Sequence, residues 1–258
     1  MKTVLFDLDG TLVNSKEGIT KCVQFALSFF NIHEENLDSL EVFIGPPLVD
    51  SFMKYYGFSL EQAKKATEKY RERYSVKGIY ECSLYDGVKK CLETLKAQGF
   101  HIVLASSKPE NYCRIILEYL GVSDFFDDIV GATIDGKIHS KEQVLEEVFR
   151  RCDFIDKSEC CLVGDTIFDV NGANYIGIPC VGVSYGFGKS DEMKACGAKV
   201  VIDNICELFR VVKEGRKNSV IKNKNKQKGL SSKFCLFDSP NLFRFFYKIR
   251  NELLFQNL

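Results

Sequence analysis

The chain has 258 residues, 45% of them hydrophobic and 27% charged, which is enough apolar side chain for a large core. Its 35 basic and 35 acidic groups cancel, which excludes the strong global charge of a nucleic-acid binder. No apolar run reaches the roughly 18 residues of a transmembrane helix, and strand-forming residues from about Thr3 leave no room for a signal peptide, so a cytoplasmic protein is expected.

In chain order, the first element is a strand at 4–6, VLF, which runs directly into DLDGTL and places Asp7 and Asp9 at its carboxyl end. A long excursion follows in which 16–30, 46–56 and 59–76 read as helices. In the last of these Ser59 and Gln62 form a capping box, and Leu60, Ala63, Thr67, Tyr70 and Tyr74 share a face. These helices predict a second, smaller domain over 15–80, hinged near Val13 and again near Ile79 to Tyr85. The core is expected to comprise 1–14 and 81–215, with further strands at 102–105, 160–163, 180–183 and 199–202. Helices are expected from Pro109 to Gly121, from the Ser140/Gln143 capping box, from Ile167 to Gly177, and over 203–213. Strands alternating with helices predict an α/β fold: a Rossmann-like parallel-sheet core with an inserted α-helical cap. The tail, 216–258, differs in kind, with ten basic against two acidic residues. Its RKNSVIKNKNKQKG stretch is expected to be disordered. The later LFRFFYKIRNELLF reads either as a helix packing on the body or as a segment for a membrane surface or partner.

Eleven cysteines lie scattered among apolar positions such as Cys91, Cys152 and Cys180, with no CxxC and no Cys/His ligand spacing. They read as reduced core thiols and not as a disulfide or zinc framework. GFGKS at 186–190 looks like a P-loop, but that motif needs glycine at 183, where the chain has Val183. The stretch is expected to be a loop at the rim of the site. His139 lies near a motif but reads as a loop residue.

Asp7 and Asp9, Ser106, Lys141, and the pair Asp165 and Asp169 all fall at strand ends or a nearby helix start, where open α/β sheets bind ligands. Each alone has an ordinary reading as an acidic turn, a helix cap or a solvated lysine. Together they gather four carboxylates, which repel one another unless a cation joins them. Mg²⁺ suits such a set, because it takes one or two carboxylates and completes its shell with water and phosphate oxygens. Lys141, at the first turn of a capped helix, adds its charge to the helix dipole on the same phosphate. An aspartate can also attack phosphorus while a second supplies the leaving group's proton, and Asp7 and Asp9 could divide those roles.

VLFDLDGTL, ASSKP, the lysine of HSKEQV and VGDTIFD together resemble the four motifs of the haloacid dehalogenase superfamily of phosphohydrolases, over about residues 1 to 214. The helical insert resembles the cap of the subgroup that includes phosphoglycolate phosphatase. FIGPPL, ASSKP, DGKIHSK and YGFG are closer to its 5'-nucleotidase-like branch. The resemblance implies Asp7 as nucleophile, Asp9 as general acid and base, and Ser106 and Lys141 as phosphate-binding. It implies Mg²⁺ held by Asp7, Asp165 and the Asp9 main-chain carbonyl, with Asp169 in support behind the metal; Thr11, Ser107 and Lys108 receive no role. Dehalogenating members lack the acid at the position of Asp9, which argues against that activity here. The expectation is a Mg²⁺-dependent hydrolase of a small phosphorylated metabolite, phosphoglycolate or a nucleoside monophosphate. Ile44, Gly45 and Pro46 are candidates for the substrate rim. A phosphomutase-type transferase and a non-catalytic phosphate or Mg²⁺ binding module are the alternatives.

Overall fold

The structure, a computed structural model, describes residues 2–214; the tail expected to be partly disordered lies outside the described residues. Six strands form one parallel sheet: β1 (Thr3–Phe6), β4 (His101–Pro109), β5 (Asp128–Ala132), β6 (Cys160–Gly164), β7 (Cys180–Val183) and β8 (Val200–Ile202). Their order is β5-β4-β1-β6-β7-β8, so the direction of winding reverses at β1. Alternation explains why the strands read as unbroken apolar runs. Val4, Phe6, Ile102, Leu104, Cys161 and Val163 enter the core on one face, while Leu5, Val103, Ala105, Cys160 and Leu162 enter the core on the other.

Helices α4 (Val88–Ala97), α5 (Glu110–Tyr119), α6 (Lys141–Arg151), α7 (Ile167–Ile176) and α8 (Ser190–Ala195) accompany the sheet, and a further helical stretch covers 208–214. The excursion after β1 holds α1 (Lys16–Ser28), a 3-10 turn at Leu37–Phe43, α2 (Leu48–Tyr56) and α3 (Leu60–Tyr74). Both expected capping boxes form, at Ser59/Gln62 and Ser140/Gln143. The chain enters and leaves this excursion through two short strands, β2 (Val13–Asn14) and β3 (Ser83–Leu84), which pair antiparallel with each other. Where they meet the helices, the Gly18 amide donates to the Glu81 carbonyl at 3.0 Å, and a Cβ at Gly18 would overlap the Gly78 carbonyl. Ten cysteines among the described residues are free thiols, and seven of them, including Cys22 and Cys161, are buried.

Several elements depart from expectation. Strand β4 runs past 105 to Pro109, so Ser106 lies inside it, where the β4–β5 register shifts between Ser106 and Pro109. Pro109 caps α5 without being its first residue. The short β5, α4 and α8 are not foreseen: β5 is DIVGA, with only two large apolar side chains, and α8 buries Met193 alone. The helix expected over 203–213 opens as a 3-10 turn, Ile205–Glu207, capped by Asn204.

Candidate active site

The reversal of winding at β1 leaves a crevice at the carboxyl ends of β1, β4 and β6, and the six residues singled out from the sequence line one cleft of about 290 Å³ there. Asp7 follows β1 directly. Asp165 follows β6, and Asp169 lies in the first turn of α7. Carboxylate oxygens of these three buried residues lie within 4.8 Å of one another. Lys141, the first residue of α6, sends its ammonium into the group, 2.6 Å from Asp7 Oδ1, 2.8 Å from Asp169 Oδ1 and 2.9 Å from the Ala105 carbonyl. Ser106 is buried beside them, its hydroxyl accepting from the Lys108 amide at 3.3 Å.

One ammonium does not balance three carboxylates. Burial, then the pull of Lys141 against the push of Asp169, leaves the Asp7 carboxyl raised to about 6. Burial together with the charges of Asp169 and Asp7 raises Asp165 well above the usual range. Burial alone would lower Lys141, but Asp169 and Asp7 hold it above the ordinary lysine value. A surplus of hard oxygen donors at this spacing fits a divalent cation such as Mg²⁺, with Asp7 and Asp165 as the candidate carboxylates. Asp169 is already engaged. Its Oδ2 accepts from the Thr166 amide at 3.1 Å and the Thr166 hydroxyl at 2.9 Å in a capping box at the head of α7, and its Oδ1 pairs with Lys141.

Asp9 stands apart from that group. Its Oδ2 is 2.6 Å from Lys108 Nζ, and its Oδ1 is buried without a hydrogen-bond partner. Three contacts escaped the sequence reading. Lys108 pairs with Asp9, the Thr11 hydroxyl donates to Asp165 Oδ1 at 3.3 Å, and the Phe187 amide donates to Asp165 Oδ2 at 2.8 Å. The last explains the P-loop look-alike: a Cβ at Gly186 would overlap the Asp165 side chain, and one at Gly188 the Asp165 carbonyl. The paired glycines of GFG were the available signal, and they serve close packing on a carboxylate. His139 lines the cleft, but its ring pairs with the Gly136 carbonyl at 2.9 Å, as suits a loop residue.

The family described as haloacid dehalogenase-like hydrolase has a model that matches residues 4–183. A curated 5'-nucleotidase of Pseudomonas aeruginosa is 41% identical over 192 residues, which are 74% of this chain and 86% of that protein. The tyrosine-protein kinase PtkA of Mycobacterium tuberculosis is 34% identical over 213 residues, 81% of this chain and 72% of the kinase. Among solved structures, a predicted phosphatase from Clostridium acetobutylicum superposes with a TM-score of 0.79 at 43% identity, over 83% of this chain and 98% of its own.

Proposed function

This chain belongs to the haloacid dehalogenase-like hydrolase family and is a phosphatase of small phosphate esters, and from that premise we propose that it is a Mg²⁺-dependent phosphomonoesterase with Asp7 as its nucleophile. The observation that carries this reading is the buried group of Asp7, Asp165 and Asp169 around one lysine ammonium. Asp7, Asp165 and the Asp9 main-chain carbonyl would hold the ion, with Asp169 behind it. When bound, Mg²⁺ supplies positive charge that offsets the repulsion among carboxylates and an incoming phosphate.

The residues of the chain divide the remaining work. Ser106 and Lys141 hold the phosphate. The free oxygen of Asp7 forms a bond to phosphorus as the ester bond breaks, and Asp9 gives a proton to the leaving oxygen. Water then attacks the aspartyl-phosphate, yielding its proton to Asp9 and returning Asp7 to a carboxylate. The inserted helices, residues 15–80, act as the cap that closes the cleft and excludes bulk water.

Cleft size favours a nucleoside monophosphate over phosphoglycolate. Phe43, Ile44, Pro46, Tyr70, Tyr74 and Phe168 give a cleft of about 290 Å³, close to the smallest that holds a drug-sized ligand, an apolar wall that a base and sugar would cover and a two-carbon acid would not. The name of the Pseudomonas relative agrees with this choice. Likeness to a tyrosine kinase favours one second reading, transfer of the phosphoryl group from Asp7 to a hydroxyl in place of water.

A panel of phosphate esters with MgCl₂ or with EDTA tests both readings. Nucleoside monophosphates are expected to be hydrolysed with Mg²⁺ and not with chelator; phosphate appearing on an added tyrosine peptide instead of in solution selects transfer. Asp7→Asn, which keeps shape and removes the attacking oxygen's charge, is expected to reduce turnover to below about a hundredth of wild type. Activity above about a tenth of wild type, in a folded variant, overturns the mechanism.

A further inference from the structure

Lys108 is a buried ammonium to which the chemistry above gives no task. Its side chain is 8% exposed, and its Nζ lies 2.6 Å from Asp9 Oδ2. The same nitrogen sits 5.0 Å from the centre of the Tyr74 ring, close enough for a cation–π attraction. Tyr74 is itself fixed, stacked on Tyr70 at 5.3 Å and in edge contact with Tyr112 at 5.4 Å. The result is a chain of contacts from α3, in the inserted helices, through Lys108 to one oxygen of Asp9. The other oxygen, Oδ1, is buried and accepts nothing. A buried acceptor without a partner is unfavourable, and Asp9 lines the cleft in which a substrate would supply the missing partner.

We propose that Lys108 is the positioning residue for Asp9: its ammonium occupies Oδ2, which leaves Oδ1 as the oxygen that carries the proton, and Tyr74 holds the ammonium in place. The proposal rests on the phosphatase reading. In the first half-reaction the electron pair of the breaking P–O bond goes to the leaving oxygen, which takes the proton from Asp9 Oδ1. In the second, a water proton passes to Oδ1 as the water oxygen bonds to phosphorus, and the Asp7–phosphorus bond returns its pair to Asp7. Lys108 donates to Oδ2 throughout and never touches the phosphate. Because Tyr74 belongs to α3, proton transfer also depends on how α3 is seated.

The test compares kcat/KM for an alkyl phosphate, whose leaving oxygen needs a proton, with that for p-nitrophenyl phosphate, whose leaving oxygen needs one far less. Lys108→Met keeps length and removes charge. It is expected to lower the alkyl value by about 100-fold and the aryl value by less than about tenfold, the selective loss of general acid catalysis. Lys108→Arg is expected to recover most of the alkyl loss. Equal losses on both esters would mean that Lys108 binds phosphate or only supports the fold, and they overturn the proposal. Tyr74→Leu, which takes the ring from the ammonium, is expected to show the same selective loss at smaller size. Equal losses in that variant overturn the proposal even where Lys108→Met does not fold by circular dichroism. A wild-type protein that hydrolyses neither ester overturns the phosphatase reading and this one with it, whereas wild-type turnover with parallel losses overturns this one alone.

Discussion

At Asp7 the cost of burying a carboxylate and the need for one coincide. Burial, outweighing Lys141, raises its pKa from 3.8 to about 6. The sign of the consequence follows from linkage. A carboxyl whose folded pKa exceeds its unfolded value contributes stability that is complete below the unfolded pKa and is lost as pH rises through the folded one. The metal-free protein is therefore expected to lose thermal stability as pH rises from about 4 through about 6, with Asp165 extending the loss upward. Mg²⁺ binds the ionised carboxylates and competes with those protons. Exchanging EDTA for MgCl₂ should raise Tm by several degrees more at about pH 8 than at about pH 5, measured by thermal melts. An equal rise at both pH values would place the cation elsewhere than at Asp7.

Single elements show why part of this protein is legible in its sequence and part is not. Strands such as VLF and CCLV are buried on both faces, so apolar content alone marks them. DIVGA of β5 carries its burial on two side chains and two small residues, too little for a period to show. Asp7, Ser106, Lys141 and Asp165 are found in one cleft because a parallel sheet aligns its strand ends, a rule that needs only chain order. Lys108 follows no such rule, since its partner Asp9 and its neighbour Tyr74 come from elements 99 and 34 residues earlier. The 186–188 loop lies between these cases, its glycines visible but their purpose set by Asp165. Gly186→Ala is expected to push the loop off Asp165, break the Phe187 amide bond and cost about 1–3 kcal/mol as an overpacked contact. Thermal melts measure the stability, and phosphatase assays should show activity falling with it; a variant of wild-type activity would mean that the loop does not hold Asp165 in place.

Over the whole molecule, the chain passes between the inserted helices and the sheet through the paired strands Val13–Asn14 and Ser83–Leu84, beside the glycine contact, and Tyr74 adds side-chain contacts to Lys108 and Tyr112. The buried thiols make any separate opening of these parts measurable. Cys22 lies on the buried face of α1, one of the inserted helices, its sulfur 3.1 Å from Arg73 Nη1, and burial pushes its thiol up to about 11. Cys161 lies at the middle of the sheet, where burial pushes its thiol up to about 12. Neither reacts with an alkylating reagent while it is buried and protonated, so each is modified at the rate at which its own surroundings open. Pulse labelling read by mass spectrometry should find Cys22 modified well before Cys161 if the helices swing on their short ribbon while the sheet stays closed. Equal rates would show the two parts opening as one. Exposed Cys206 marks time zero in the same spectrum. The cysteines that the fold uses as small apolar fillers are, for an experimenter, a set of clocks already installed in its separate parts.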